Sequence, residues 1–268
     1  MNVSALISNF RRIPELARAR HETPAWREVA MRYLEMGTPS YPFHIPLCGG
    51  GSLKTACLGE VKVFWQIFVR RCYPVPSGCA TIVDVGANIG LFALWAAREL
   101  PAARIISLEP FPETFQLLEE NVRANSLQAR ILCVQRALAG QTGERQMSAW
   151  GDDSPTRRLI LYGPIRADAP TVSVACSTLA DFLQEQRLET VDLLKMDAEG
   201  SEWEILFATP ASVLRKIRHI FLEYHEVHAR LGFQPDELFA YLSRAGHKLT
   251  CRTEDRGRTG LAFLSLTE

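Results

Sequence analysis

The sequence predicts an α/β protein: a mainly parallel seven-stranded sheet that ends in a C-terminal antiparallel hairpin, preceded by an N-terminal helical cap. Three observations carry this. From Thr81 onward, short apolar runs alternate with amphipathic stretches of helical length, the pattern of βα units. The last two apolar runs follow each other without room for a crossover helix, so they pair antiparallel. Before residue 79 the chain carries Pro14, Pro24, Pro39, Pro42, Pro46, Pro74, Pro76 and a CGGGS stretch at 48–52, which suits short helices and turns better than continuous sheet.

Taken in order, cap helices are expected at 4–20, 24–36 and 60–71, the last placing Val61, Phe64, Trp65, Phe68 and Val69 at helical spacing. Strands are expected at 81–85, 104–109, 130–134, 190–197, 217–223, 247–253 and 261–267, and helices near 89–100, 112–125, 178–187, 200–208 and 235–245. Region 138–176 is less regular and predicts a loop with short strands over one edge of the sheet. The chain thus divides into a cap, 1–78, and a ligand-binding domain, 79–268.

Bulk properties narrow the function. With 268 residues, 47% of them apolar, the chain can bury a full core. Acidic and basic residues balance at 30 each, so no global field holds it on nucleic acid or an anionic membrane. The stretch MNVSALISNFRRIPELARAR lacks the unbroken apolar run of a secretion signal, and no run approaches the ~18 apolar residues of a membrane span. Seven cysteines without a CxxC pair suit reduced thiols of a cytoplasmic protein.

The strongest local signal is TIVDVGANIGLFALWAA at 81–97: a β-branched strand runs into Asp84, then Gly86 and Gly90, then an apolar-faced helix. That is a ligand-binding turn at the carboxyl end of a strand, where glycine lets the backbone turn tightly and approach a ligand. The dinucleotide fingerprint G-x-G-x-x-G fails here, since Asn88 and Leu91 stand where its second and third glycines belong. A pyrophosphate needs bare backbone at that second position. Asn88 suits instead the amino-acid end of a cofactor without phosphate, and Asp84 supplies negative charge for a sulfonium and an ammonium, as in S-adenosylmethionine. The next strand ends at Glu109, 19 residues beyond Gly90, where a carboxylate can accept both ribose hydroxyls. The third strand leads to Gln135, Arg136 and Ala137, whose backbone is a candidate neighbour of the adenine edge.

These residues belong to a longer resemblance. WQIFVRRCY at 65–73, VDVGANIG at 83–90, LEPFPETFQLLEENV at 108–122, ALAGQTGE at 137–144, STLADFL at 177–183, VDLLKMDAEGSEWEIL at 191–206 and IFLEYHE at 220–226 resemble the FkbM-type methyltransferase family. The resemblance implies a Rossmann-like methyltransferase fold and S-adenosylmethionine-dependent methyl transfer to a hydroxyl of a small molecule, often a sugar, polyketide or other secondary metabolite. It assigns Asp84, Gly86, Asn88, Gly90 and Glu109 to the cofactor motif. It does not reach the first 60 residues, so acceptor choice is expected to reside there and in 145–175.

The other end of the site follows from the residues themselves. VDLLKMD ends an apolar strand at Asp197, which therefore enters the same crevice as Gly86 and Glu109, near cofactor and acceptor alike; it also suits the N-cap of the following helix. Lys195, inside that strand, calls for a carboxylate partner or a path to the sheet edge. RHIFLEY delivers Glu223, with His225, Glu226 and His228 just beyond. His225 is the expected general base, with Asp197 and Glu223 orienting it or the hydroxyl. The histidines lie only three apart, which rules out the H-E-x-x-H zinc pattern. Asp197 and Glu223 are a candidate pair for one magnesium ion with waters, although a third ligand is not evident. The competing functions are a nucleotide-dependent oxidoreductase, which the failed fingerprint disfavours, a non-catalytic S-adenosylmethionine-binding module, and nucleic-acid methylation, which the charge balance disfavours.

Overall fold

The computed structural model describes residues 13–148, 158–159, 171–225, 234–255 and 259–267. The cap opens with α1 (Ile13–Glu22) and α2 (Trp26–Tyr33). It continues as a hairpin the sequence did not announce, β1 (Phe43–Pro46) and β2 (Ser52–Thr55), paired antiparallel from Phe43↔Thr55 to Pro46↔Ser52. The CGGGS stretch is its turn: Gly49, Gly50 and Gly51 all have positive φ, so the chain reverses without Cβ strain. Phe43, Ile45 and Leu53 point inward and are buried. α3 (Leu58–Phe64) passes into a π turn at Trp65–Val69, where the Trp65 ring stacks on Tyr33 at 4.6 Å and its Nε1 donates to Glu15 at 2.8 Å.

The main domain runs β3 (Thr81–Val85), α4 (Leu91–Glu99), β4 (Arg104–Leu108), α5 (Pro112–Ala124) and β5 (Ile131–Val134). A lesser sheet follows, formed by β6 (Ala137–Leu138), β7 (Gly143–Ser148), β8 (Arg158–Leu159) and β9 (Thr171–Ser177) in the order β6-β9-β7-β8. This is what the irregular 138–176 region becomes, with residues 149–157 and 160–170 outside the described residues. The chain then completes the main sheet: α6 (Leu179–Glu185), β10 (Val191–Met196), α7 (Glu202–Ala208), a short α8 (Ala211–Leu214), β11 (Ile217–Tyr224), α9 (Pro235–Arg244), β12 (His247–Asp255) and β13 (Thr259–Leu266).

Seven strands stand in the order β12-β13-β11-β10-β3-β4-β5. The five strands β11, β10, β3, β4 and β5 are parallel, and β13 joins β11 antiparallel before β12 closes the hairpin, so the expected α/β sheet is present. From β3 the chain moves outward through β4 and β5, then returns to lay β10 on the other side of β3. The strand order therefore reverses between β3 and β10, and the crevice at the carboxyl ends of these two strands is where such sheets bind ligands.

The sheet is covered on both faces. On one, Phe182, Trp203, Leu206, Leu238 and Leu242 from α6, α7 and α9 bury against Leu194, Ile220 and Leu264. On the other, Leu94 and Trp95 of α4 meet Phe64 and Phe68, and the same buried cluster continues into Ala19, Val29, Ile45 and Leu53 of the cap. The cap thus shares one core with the sheet. Among the described residues no helix is long and apolar enough to cross a membrane.

Candidate active site

A cleft of about 660 Å³ lies at the β3–β10 crevice, and Val85, Gly86, Asn88, Glu109, Ala137 and Asp197 are among the residues that line it. Its floor is a tight junction of two strand ends. Asp197 N–H donates to the Val85 carbonyl at 3.1 Å, and a β-carbon on Gly86 would sit 1.8 Å from the Asp197 carbonyl oxygen. Gly86, at φ +71°, is thus required by this packing. Beyond it the turn stays left-handed at Asn88 and Gly90, and the Asn88 side-chain oxygen accepts the Ile89 N–H at 2.7 Å. Gly90 lies outside the cleft lining; a β-carbon there would meet Leu118 of α5 at 2.7 Å, so its smallness brings α4 and α5 together.

Glu109 closes the other side. Only 8% exposed, it accepts backbone N–H groups from Asn88 at 2.9 Å and Phe111 at 3.0 Å, so the carboxylate and the glycine turn are one rigid unit. Burial pushes its pKa up to about 7 despite these two donors. Asp84, expected near the cofactor's cationic groups, is placed differently. Its side chain has no exposed surface and faces Lys195 Nζ at 3.2 Å, behind the cleft.

Lys195 is the hub of that buried layer. Its ammonium donates to the Gly86 carbonyl at 2.9 Å and stands 3.7 Å from Asp197 Oδ2. Burial alone would lower its pKa, but Asp84 and Asp197 outweigh this and hold it above the ordinary lysine value.

At the Asp197 end of the cleft, the 197–202 turn and the end of β11 bring four ionisable side chains together. His225, 6% exposed, directs Nδ1 to Glu202 Oε1 at 3.0 Å, while Nε2 faces Glu199 Oε2 at 3.5 Å and Asp197 Oδ1 at 3.8 Å. Glu202 has no exposed side-chain surface and is fixed by the N–H groups of Ala198 at 2.8 Å and Gly200 at 2.9 Å. Burial pulls the imidazole pKa down, but Glu202, then Asp197 and Glu199, raise it to about 10. At neutral pH this imidazole therefore carries its proton. An imidazolium has no lone pair with which to accept the acceptor's proton, which weighs against the general-base role expected for His225.

Glu223 stands at the edge of this group, where burial and the Asp197 charge raise its pKa. Its Oε2 accepts the Tyr73 hydroxyl at 2.5 Å, across 150 residues of sequence, with Tyr73 held between Phe92 and Phe221. The group of three possible metal donors among the described residues is Asp197, Glu199 and His225, and it does not include Glu223. Glu226 and His228 lie outside the described residues.

Glu199, Glu202 and Tyr73 went unassigned in the sequence. The first two stand inside the quoted DAEGSE stretch, where a tight turn after a strand end was a usable signal for carboxylates folding back on Asp197. Tyr73 had no local signal, since its partner is set by how the cap docks.

Comparison with known proteins bears on the same residues. The family model for the methyltransferase FkbM domain matches residues 84–249. The methyltransferase sdnD of Sordaria araneosa is 30% identical over 217 residues, covering 70% of this chain and 82% of that protein. The 31-O-demethyl-FK506 methyltransferase FkbM of Streptomyces tacrolimicus is 28% identical over 240 residues, covering 78% of this chain and 89% of its own. A crystal structure of methyltransferase FkbM from Methylobacillus flagellatus superposes on 94% of this chain and 59% of that chain, with 17% identity and a TM-score of 0.49.

Proposed function

The chain belongs to the FkbM methyltransferase family, and we propose that it uses S-adenosylmethionine to methylate a hydroxyl of a small molecule. The observation that carries this reading is the arrangement of one cleft: the Gly86–Gly90 turn lies between the buried Glu109 carboxylate on one side and Asp197 on the other. Glu109 suits the ribose hydroxyls and the backbone about Ala137 suits the adenine edge. The Asp197 carboxylate, 24% exposed, suits a position beside the sulfonium, where its charge attracts the reactant cofactor more than the neutral product. The relative that acts on 31-O-demethyl-FK506 supports oxygen as the methylated atom.

The chemistry needs little more than alignment. S-adenosylmethionine would supply the methyl group, with the C–S electron pair staying on sulfur in the departing S-adenosylhomocysteine, and the chain's part is to hold the acceptor oxygen in line with that carbon. Holding the reacting atoms roughly 3–3.5 Å apart supplies most of the acceleration. An alcohol must also lose its proton as it attacks, and we assign that proton to Asp197, the carboxylate in the cleft wall next to the cationic His225. His225 and Lys195 then act as the charges that orient it. Selection of the acceptor is assigned to the cap and to 145–175; in support, Tyr73 of the cap segment reaches Glu223 at the end of β11.

Calorimetry tests the reading directly. S-adenosylmethionine and S-adenosylhomocysteine are expected to compete for one site that ignores nicotinamide dinucleotides. Binding of a nicotinamide dinucleotide without binding of S-adenosylmethionine would end it.

A further inference from the structure

We propose that Asp197, Glu199 and His225 form a seat for one divalent first-row transition-metal ion at the acceptor end of the cleft. One donor atom from each of these residues lies within 4.8 Å of the other two, a spread that small side-chain adjustments can close around a common ion. Three features make this more than a group of acids. The first is the histidine: it is buried, and its Nδ1 is held by Glu202 at 3.0 Å, so Nε2 is aimed at the two carboxylates. A ligating imidazole whose other nitrogen donates to a carboxylate is the usual supporting arrangement at metal sites. The second is preorganisation, since Glu202 is itself locked by two backbone N–H groups of the 197–202 turn. The third is Asp197 Oδ1, which is enclosed yet accepts no hydrogen bond from the described residues while facing the same gap.

The donor set selects the ion. One imidazole nitrogen and two carboxylate oxygens suit manganese, iron, cobalt or zinc, whereas magnesium and calcium prefer all-oxygen surroundings. The ion would displace the proton that His225 otherwise carries and take its place as the positive charge beside Asp197; two carboxylates then balance the dication, and three protein ligands leave positions open. Asp197 and Glu199 line the cleft, so an open position faces the space assigned to the acceptor. The ion would bind the acceptor oxygen there and hold it toward the methyl donor. The inference deepens the methyl-transfer reading while resting on its own observations.

The test is metal binding to the full chain after treatment with chelator, followed by the loss of the free Mn²⁺ paramagnetic resonance signal. One Mn²⁺ per chain is expected. Glu199→Gln and His225→Ala should each weaken binding at least tenfold, and Glu202→Gln by roughly 10- to 100-fold as a supporting residue. S-adenosylhomocysteine affinity, measured on the same variants, reports whether the fold and cofactor site persist. Zn²⁺ competing for the Mn²⁺ site would agree with the proposal. No binding of Mn²⁺, Co²⁺ or Zn²⁺ by the wild type, or binding that both ligand variants leave unchanged, would overturn it, even where S-adenosylmethionine binds as proposed.

Discussion

Gly86 and Asp197 meet backbone to backbone at the carboxyl edge of the sheet, so closely that a β-carbon on Gly86 would lie 1.8 Å from the Asp197 carbonyl oxygen. The backbone of Asp197 cannot retreat, because its N–H is bonded to Val85 at 3.1 Å. Gly86→Ala therefore forces both a left-handed alanine and the parting of β3 from β10. We expect a loss of about 3 kcal/mol or more, a fall in Tm of about 6–12 °C at ~2–4 °C per kcal/mol, with cofactor binding abolished. A variant with unchanged melting and unchanged affinity would show that the junction is loose.

Glu109 predicts the pH dependence of cofactor binding. Its pKa in the folded chain is about 7 because burial favours the neutral acid, so any stability it lends is complete below the ordinary carboxylate value and lost as pH rises through 7. Ribose hydroxyls donate best to the ionised form. Affinity for S-adenosylhomocysteine should therefore increase between about pH 6 and pH 8, and Glu109→Gln should flatten that rise. Glu109→Ala should cost about 1.5–3 kcal/mol, roughly 10- to 150-fold in Kd. Calorimetry across this range decides it, since a flat wild-type profile contradicts the assignment.

The fold was legible because its signals are local. β-branched runs, helical periodicity and the missing crossover before β13 fixed the strand count and the terminal hairpin within a few residues. The cleft-lining turn was legible for the same reason, as Gly86, Asn88 and Glu109 lie within one βαβ unit. The chemistry of single groups was not. Asp84 stands two residues from Gly86, but strand alternation turns it toward Lys195 and away from the cleft. His225 stands at the right sheet edge, but Glu202, 23 residues earlier, fixes its charge through a tertiary contact. Spacing in sequence reports which edge a residue reaches, whereas burial and partners decide its protonation.

Lys195 predicts a stability effect. It is the cation beside the fully buried Asp84, so Lys195→Met leaves that carboxylate unpaired in the core, at a cost of about 3–5 kcal/mol. Adding Asp84→Asn should restore a large part of the loss. Urea unfolding of both single variants and the double gives the coupling energy, and strict additivity would deny that the two residues interact.

Tyr73 predicts how the cap enters function. Tyr73→Phe keeps the ring between Phe92 and Phe221 but removes the donor to Glu223, which should cost about 1–3 kcal/mol of stability. The residue is not part of the cleft lining, so on the proposed reading the Kd for S-adenosylhomocysteine should hold while KM for the acceptor rises. If cofactor affinity falls and acceptor KM does not, the cap supports the cofactor side instead.

Asp197 and His225 give opposite forecasts for the proton. If Asp197 accepts it, Asp197→Asn should slow single-turnover methyl transfer by roughly 10²- to 10⁴-fold, the usual contribution of a general base. The same change removes a negative charge beside the sulfonium, so affinity for S-adenosylmethionine should fall more than affinity for the uncharged thioether product. His225→Ala removes a cation that orients Asp197 and should slow the step less than Asp197→Asn does. An imidazole base reverses the order: His225→Ala would then carry the large defect, and the wild-type rate would climb with pH as the imidazolium, held to about 10, gave up its proton. Single-turnover rates of the two variants on one acceptor, measured at neutral pH with saturating cofactor, separate these outcomes. An Asp197→Asn enzyme within threefold of wild type would move the role away from this carboxylate.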